Sequence, residues 1–110
     1  LDTSVAKPRA NFLVLPIDKI LMDNKVVEVS TEIYVTPANQ KTYTMYSNQH
    51  HKFWVSYTQR RWDMAIVIAG SLRTAWDARL IKYYDTMISR CATFKQKPPA
   101  GSWDGTILKD

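Results

Sequence analysis

Hydrophobic positions change rhythm near Gly70-Ser71. Before that point apolar side chains tend to alternate with polar ones, the pattern of strands buried on one face. Beyond it they recur every three or four residues, the spacing of a helix. Residues 25–36 alternate most clearly. Val27, Val29, Thr31, Ile33 and Val35 fall on one face, and Val26, Glu28, Ser30, Glu32 and Tyr34 on the other. The β-branched residues strengthen the strand assignment. Upstream, residues 12–17 form an apolar run interrupted by Pro16, whose missing N–H predicts an edge strand or a strand end. Asp23-Asn24, both tolerant of positive φ, predict a tight hairpin turn between flanking apolar runs.

Residues 37–40 read as a turn, 41–46 as the return strand and 47–50 as a second turn. Residues 51–59 alternate again, with Phe53, Val55 and Tyr57 against Trp54, Ser56 and Thr58. Residues 62–69 fit a buried strand or the start of a helix. Ile66-Val67-Ile68 and the stop-and-cap pair Gly70-Ser71 favour the strand, whereas Ala65, Ile68, Leu72 and Trp76 keep helical spacing.

From residue 72 to about residue 93 the spacing predicts one amphipathic helix. Its apolar arc carries Leu72, Trp76, Leu80, Tyr83, Tyr84, Met87, Ile88 and Cys91; the opposite arc carries Arg79, Lys82, Thr86, Ser89 and Arg90. Arg73 and Asp77 stand four apart and are expected to pair. Pro98-Pro99 forbids continuation.

The expected fold is therefore α+β, a single domain over residues 1–110. Residues 1–10 are a lead-in segment. An antiparallel meander of four to five strands occupies most of residues 11–69. One long helix over residues 71–93 covers it, sealing Val27, Val29, Ile33 and Val35 against Leu72, Trp76, Leu80, Tyr83 and Met87. Residues 98–110 are an extended tail in which Trp103, Ile107 and Leu108 can anchor on the body or on a partner.

Charge adds an asymmetry. The net +5 is zero over residues 1–49, +6 over residues 50–97 and −1 over residues 98–110. The cationic half favours an acidic partner. At 110 residues, 45% of them hydrophobic, the chain can bury a core without disulfides. A lone cysteine excludes an internal disulfide, and the longest apolar run, residues 64–69, is too short to span a bilayer. The missing initiator methionine fits an excised domain or a processed chain.

Catalytic and cofactor patterns are missing. His50-His51 are adjacent, so an extended chain would point them to opposite faces, with no ligand cluster at zinc-like spacing. Cys91 lies on the apolar arc and reads as a small hydrophobe. Glu28 and Glu32, the only glutamates, share one polar strand face. There is no G-x-S-x-G, and three glycines build no phosphate-cradling loop. The sequence thus implies no enzyme, no cofactor and no metal.

What remains is basic and aromatic. The expected function is a non-catalytic protein-interaction module, a domain or subunit of a larger assembly, binding a protein partner or a second copy of itself. Trp and Tyr, enriched at interface hot spots, support it. The alternative is a single-stranded nucleic-acid binder without base specificity, rings stacking bases while cations neutralise phosphates. An anionic membrane surface ranks third. The candidate binding residues are Trp54, Arg60, Arg61, Trp62, Arg79, Lys82, Arg90 and Trp103.

Overall fold

The computed structural model describes residues 11–108. The expected lead-in over residues 1–10 and the last two residues of the tail lie outside them. The chain is α+β, but not the meander capped by one helix. Strands β1 (Phe12–Met22) and β2 (Lys25–Tyr34) form a hairpin, followed by helices α1 (Gln40–Thr58), α2 (Trp62–Leu72) and α3 (Ile81–Gln96), and a two-residue strand β3 (Ile107–Leu108). The sheet order is β2-β1-β3, with β3 parallel to β1. Helix α2 packs against both α1 and α3, and the hairpin lies against α1 through β1.

The hairpin turn is where the sequence placed it. Asp23 and Asn24, at φ 51° and 64°, connect Met22 to Lys25. Such two-residue turns with positive φ match the twist of the flanking strands. Strand β1 does not end at Pro16, and over residues 12–17 it pairs with β2 alone among the described strands, at the edge. It bulges between Pro16 and Asp18 and continues to Met22, and β3 pairs with Ile20 and Leu21 on its far side. Gly105, at φ 105°, brings the tail back beside α1; a Cβ there would meet Thr58 Cγ2 at 3.0 Å.

The strands expected over residues 41–46 and 51–59 are one helix. Its buried positions are Tyr43, Ser47, His50, Phe53, Ser56 and Tyr57, a stripe at helical spacing. Three of the six are polar, so the stripe is invisible to a hydropathy reading, and the aromatics biased that reading toward strand. A reciprocal pair fixes the approach: Thr36 N–H donates to Asn39 Oδ1 (2.8 Å) and Asn39 N–H to Thr36 Oγ1 (3.2 Å), as in a capping box. The end is a Schellman turn. Arg61 N–H donates to Ser56 O (2.8 Å) and Arg60 N–H to Tyr57 O (3.1 Å), with Arg60 at φ 66°.

Residues 62–72 are also helical, so the strand reading of 62–69 is overturned. The predicted continuous helix over 71–93 is broken. Leu72 ends α2, and Trp76, Asp77 and Ala78 all take positive φ (60°, 57° and 62°) before α3 begins at Ile81. No glycine or proline marks this break. The buried Trp76 ring holds it, packed edge-on against Tyr43 and Tyr46 with centroids at 5.0 and 5.3 Å. Its Nε1–H donates to Tyr84 Oη (3.1 Å), and Tyr43 Oη–H donates to Asp77 Oδ2 (3.1 Å). Arg73 consequently pairs with Asp85 across the α2–α3 connection, not with Asp77. The inward stripe survives within α3, where Tyr84, Met87 and Cys91 are fully buried. Leu80 is only half-buried, and Val27, expected under the helix, is exposed.

Candidate functional site

Four of the eight predicted site residues are structural. Trp62 is buried against Phe94 and Trp103 (5.3 and 5.4 Å), and Trp103 also packs edge-on against Tyr57 (5.2 Å). Trp103 Nε1–H donates to Thr106 O (2.9 Å), so the tail anchors on the body through it. Arg60 donates to the carbonyls of Pro99 (2.9 Å) and Ala100 (2.6 Å), clamping the same segment. Arg90, expected on the solvent arc, turns inward. Its guanidinium holds Asp18 through both carboxylate oxygens (3.0 and 3.2 Å) and donates to Tyr57 Oη (3.0 Å). The periodicity failed there because Arg90 pairs with a carboxylate that the bulge in β1 delivers to the same place.

The same bulge is met by two more side chains. His50 Nε2 lies 2.6 Å from Pro16 O, and His50 Nδ1 lies 2.9 Å from Tyr84 Oη. A carbonyl only accepts, so Nε2 carries the proton and Nδ1 accepts from the tyrosine. Tyr84 Oη in turn accepts from Trp76 Nε1, completing a relay from α3 through α1 to β1. Tyr83 Oη–H donates to Ile17 O (2.6 Å). Burial, which disfavours charge, pushes the His50 imidazolium down to about 4 against a weaker opposing effect of the Pro16 bond. Tyr57 and Tyr84 are pushed up to about 12, also by burial. Burial likewise raises the Cys91 thiol to about 11, leaving no thiolate nucleophile at neutral pH. These buried groups are mutually satisfied: among the described residues no buried side-chain polar atom lacks a partner. Nor do any three His, Cys, Asp or Glu side chains there stand where they could hold a metal.

Trp54 is half-buried on Tyr57 (5.3 Å) and borders a polar cleft of about 230 Å³ with Lys19, Thr58 and Asp104. Lys19 pairs with Asp104 (3.0 Å). The bonds from Thr106 and Lys19 hold the Asp104 carboxyl down to about 2. Arg79 is exposed but tied to Trp76 O and Tyr43 Oη (both 3.2 Å), and Lys82 is exposed on α3. Thus Trp54, Trp62, Trp103 and Arg90 gather around the buried Tyr57, and Arg60 and Arg61 border a depression of about 300 Å³ beside Trp62, while Arg79 and Lys82 stand apart; the eight do not converge on one open surface. Of the described Phe, Trp and Tyr side chains only Tyr34 is exposed, as is His51 among the histidines.

The arrangement that does converge lies on the outward faces of α1 and α2. On α1, Lys41, Met45, Asn48, Lys52 and Val55 follow at intervals of four, three, four and three. On α2, Met64, Ile68 and Ser71 continue from Arg61 at intervals of three, four and three. The two rows border a trough of three linked depressions. The first, about 470 Å³, runs from Pro37 to Met45. The second, about 370 Å³, lies between Met45, Lys52 and Ser71. The third, about 450 Å³, lies between Lys52, Val55, Arg61 and Met64. Met45 links the first two, and Lys52 the last two.

Three aliphatic side chains lining these depressions are exposed: Met45 (58%), Val55 (50%) and Met64 (54%). Its charge has one sign. No Asp or Glu occurs over residues 33–62, and Asp63 just beyond is paired with Lys95 (2.7 Å). Of the predicted residues only Arg61 belongs to this trough. Two sequence signals point to the rest: the acid-free stretch, and residues 64–69, apolar on every side of a helix that can bury only one stripe in so small a domain.

Among the described residues no helix is long and apolar enough to cross a membrane. Comparison of the chain with protein-family models, with curated proteins and with solved structures returns no match.

Proposed function

We propose that this domain is a non-catalytic protein-interaction module and that the α1–α2 trough is its docking surface. The observation that carries this reading is a row of three adjoining depressions lined by three exposed aliphatic side chains, with no carboxylate along α1. Contiguous exposed apolar surface of this kind marks interaction sites more often than scattered single side chains do. Fully burying an exposed Val or Met contributes about 1.5–3 kcal/mol. About half of each of these three is already covered, so docking would gain on the order of 1 kcal/mol apiece. Methionine at two of the three positions gives a surface that adapts to its ligand.

The nucleic-acid alternative needs rings open to bases. Trp54, Trp62 and Trp103 are folded inward, and Tyr34 lies on β2, outside the three depressions. A titration separates the readings. The Met45→Ser/Met64→Ser variant, folded by circular dichroism, should lose a co-purifying native partner whose retention survives half-molar salt. Single-stranded DNA or RNA that binds and is released steeply by salt, equally in the variant and the parent, would overturn the module reading.

A further inference from the structure

We infer that the occupant of the α1–α2 trough is an acidic amphipathic helix of a partner protein. This rests on the docking reading above and adds the chemistry of what docks. Three observations carry it.

The first is geometry. The rows bordering the trough repeat at alternating intervals of four and three residues on both helices. That periodicity leaves holes between side chains into which a third helix sets its own. From Met45 to Val55 the channel between the two helices follows α1 for ten residues, about 15 Å, which accepts roughly three turns of helix, and the depression beside Lys41 prolongs it along α1.

The second is charge. Lys41, Lys52 and Arg61 line the channel with no carboxylate among them, so an acidic ligand is complementary and a cationic one repelled. A second copy of this face would bring the same cations together.

The third is the position of Lys52. It sits inside the channel where two depressions meet, with Met45 on one side and Val55, Met64 and Ile68 on the other. A ligand must therefore place a carboxylate between apolar groups at fixed spacing. A peptide helix supplies such a pattern; a fluid lipid surface does not. Recognition of apolar anchors at helical spacing in a groove is a recurrent binding mode.

The test is a phage-displayed library of sixteen-residue helical peptides, selected on the purified domain. Enriched peptides should carry net negative charge, with apolar residues three and four apart. A synthetic copy of the leading peptide should bind the parent and lose about tenfold or more in affinity against Lys52→Glu. Replacing the facing glutamate of the peptide by lysine should restore binding to that variant. Lys82→Glu, on α3 away from the channel, should leave affinity within about twofold. Neutral or basic winners, or affinity unchanged in Lys52→Glu, would overturn the inference. So would Lys52-dependent sedimentation of the domain with phosphatidylserine vesicles, which would assign the face to a membrane. If Met45→Ser/Met64→Ser abolishes native capture while selection yields no acidic helix, the module reading stands and the partner chemistry proposed here falls.

Discussion

Ala78 stands exposed at φ 62°, the last of three consecutive left-handed residues that carry the chain from α2 toward α3. For an L-residue that conformation costs about 1–2 kcal/mol, because Cβ crowds the following carbonyl. Glycine has no Cβ and adopts it freely. Ala78→Gly removes that cost from the folded state but gives the unfolded chain extra freedom, worth about 0.4–1 kcal/mol. The Ala78 side chain makes no hydrogen bond, and the backbone bond from its N–H to Ala75 O (2.9 Å) is kept. The net expectation is stabilisation by about 0.5–1 kcal/mol, a rise in Tm of roughly 2–5 °C for a chain of this size. Ala92→Gly, at an exposed position within α3, should instead cost about 1 kcal/mol. Urea unfolding of both variants, followed by circular dichroism, reads the two signs side by side. An uninterrupted helix over residues 71–93 would make both substitutions destabilising. Loss of about 1 kcal/mol in Ala78→Gly would therefore refute the break at Trp76–Ala78.

Arg90→Ala leaves the Asp18 carboxylate partly buried without its partner and should cost about 2–4 kcal/mol; Asp18→Leu/Arg90→Met should recover much of that, as a double-mutant cycle by urea unfolding will report. His50 is buried neutral. Its folded value of about 4 lies below the ordinary 6.5, so the unfolded chain binds the extra proton first. Its contribution is therefore complete above pH 6.5 and lost progressively down to pH 4, on the order of 3 kcal/mol. Unfolding free energies measured between pH 7 and pH 4 should fall accordingly, and a flat profile would contradict the burial of His50 as the neutral imidazole. Arg60→Ala removes the clamp on Pro99 and Ala100, so the amide of Trp103, bonded to Ala100 O, should exchange with deuterium faster while amides within α2 keep their protection.

How far the sequence led depended on where local chemistry and tertiary need agreed. The hairpin was legible because Asp23-Asn24 and the β-branched alternation of β2 act locally. The inward stripe of α3 was legible because Tyr84, Met87 and Cys91 are apolar and spaced as a helix. Helix α1 was not, since its buried side includes Ser47 and His50, which burial tolerates only because the fold supplies their partners. The break at Trp76 was illegible for a related reason. Nothing local ends the helix there; the indole's place among Tyr43, Tyr46 and Tyr84 does. The proposed docking face was hidden because residues 62–69 fitted either a buried strand or a helix, and the favoured strand reading left no apolar surface to explain. Arg60, Trp62 and Trp103 drew attention as cation and rings, yet their bonds fasten the tail to the body.

The bulge in β1 has a further consequence for the ribbon it interrupts. Apolar side chains stand outward as well as inward on this hairpin, with Val14 and Val26 exposed, so burial alone would permit the strands to slide past each other by a step. A slip of β1 would carry Pro16 O, Ile17 O and the Asp18 carboxylate away from His50, Tyr83 and Arg90 together. Side chains from two different helices thus act as a key with one lock position for β1, and where that strand lies on the body is dictated from outside the sheet.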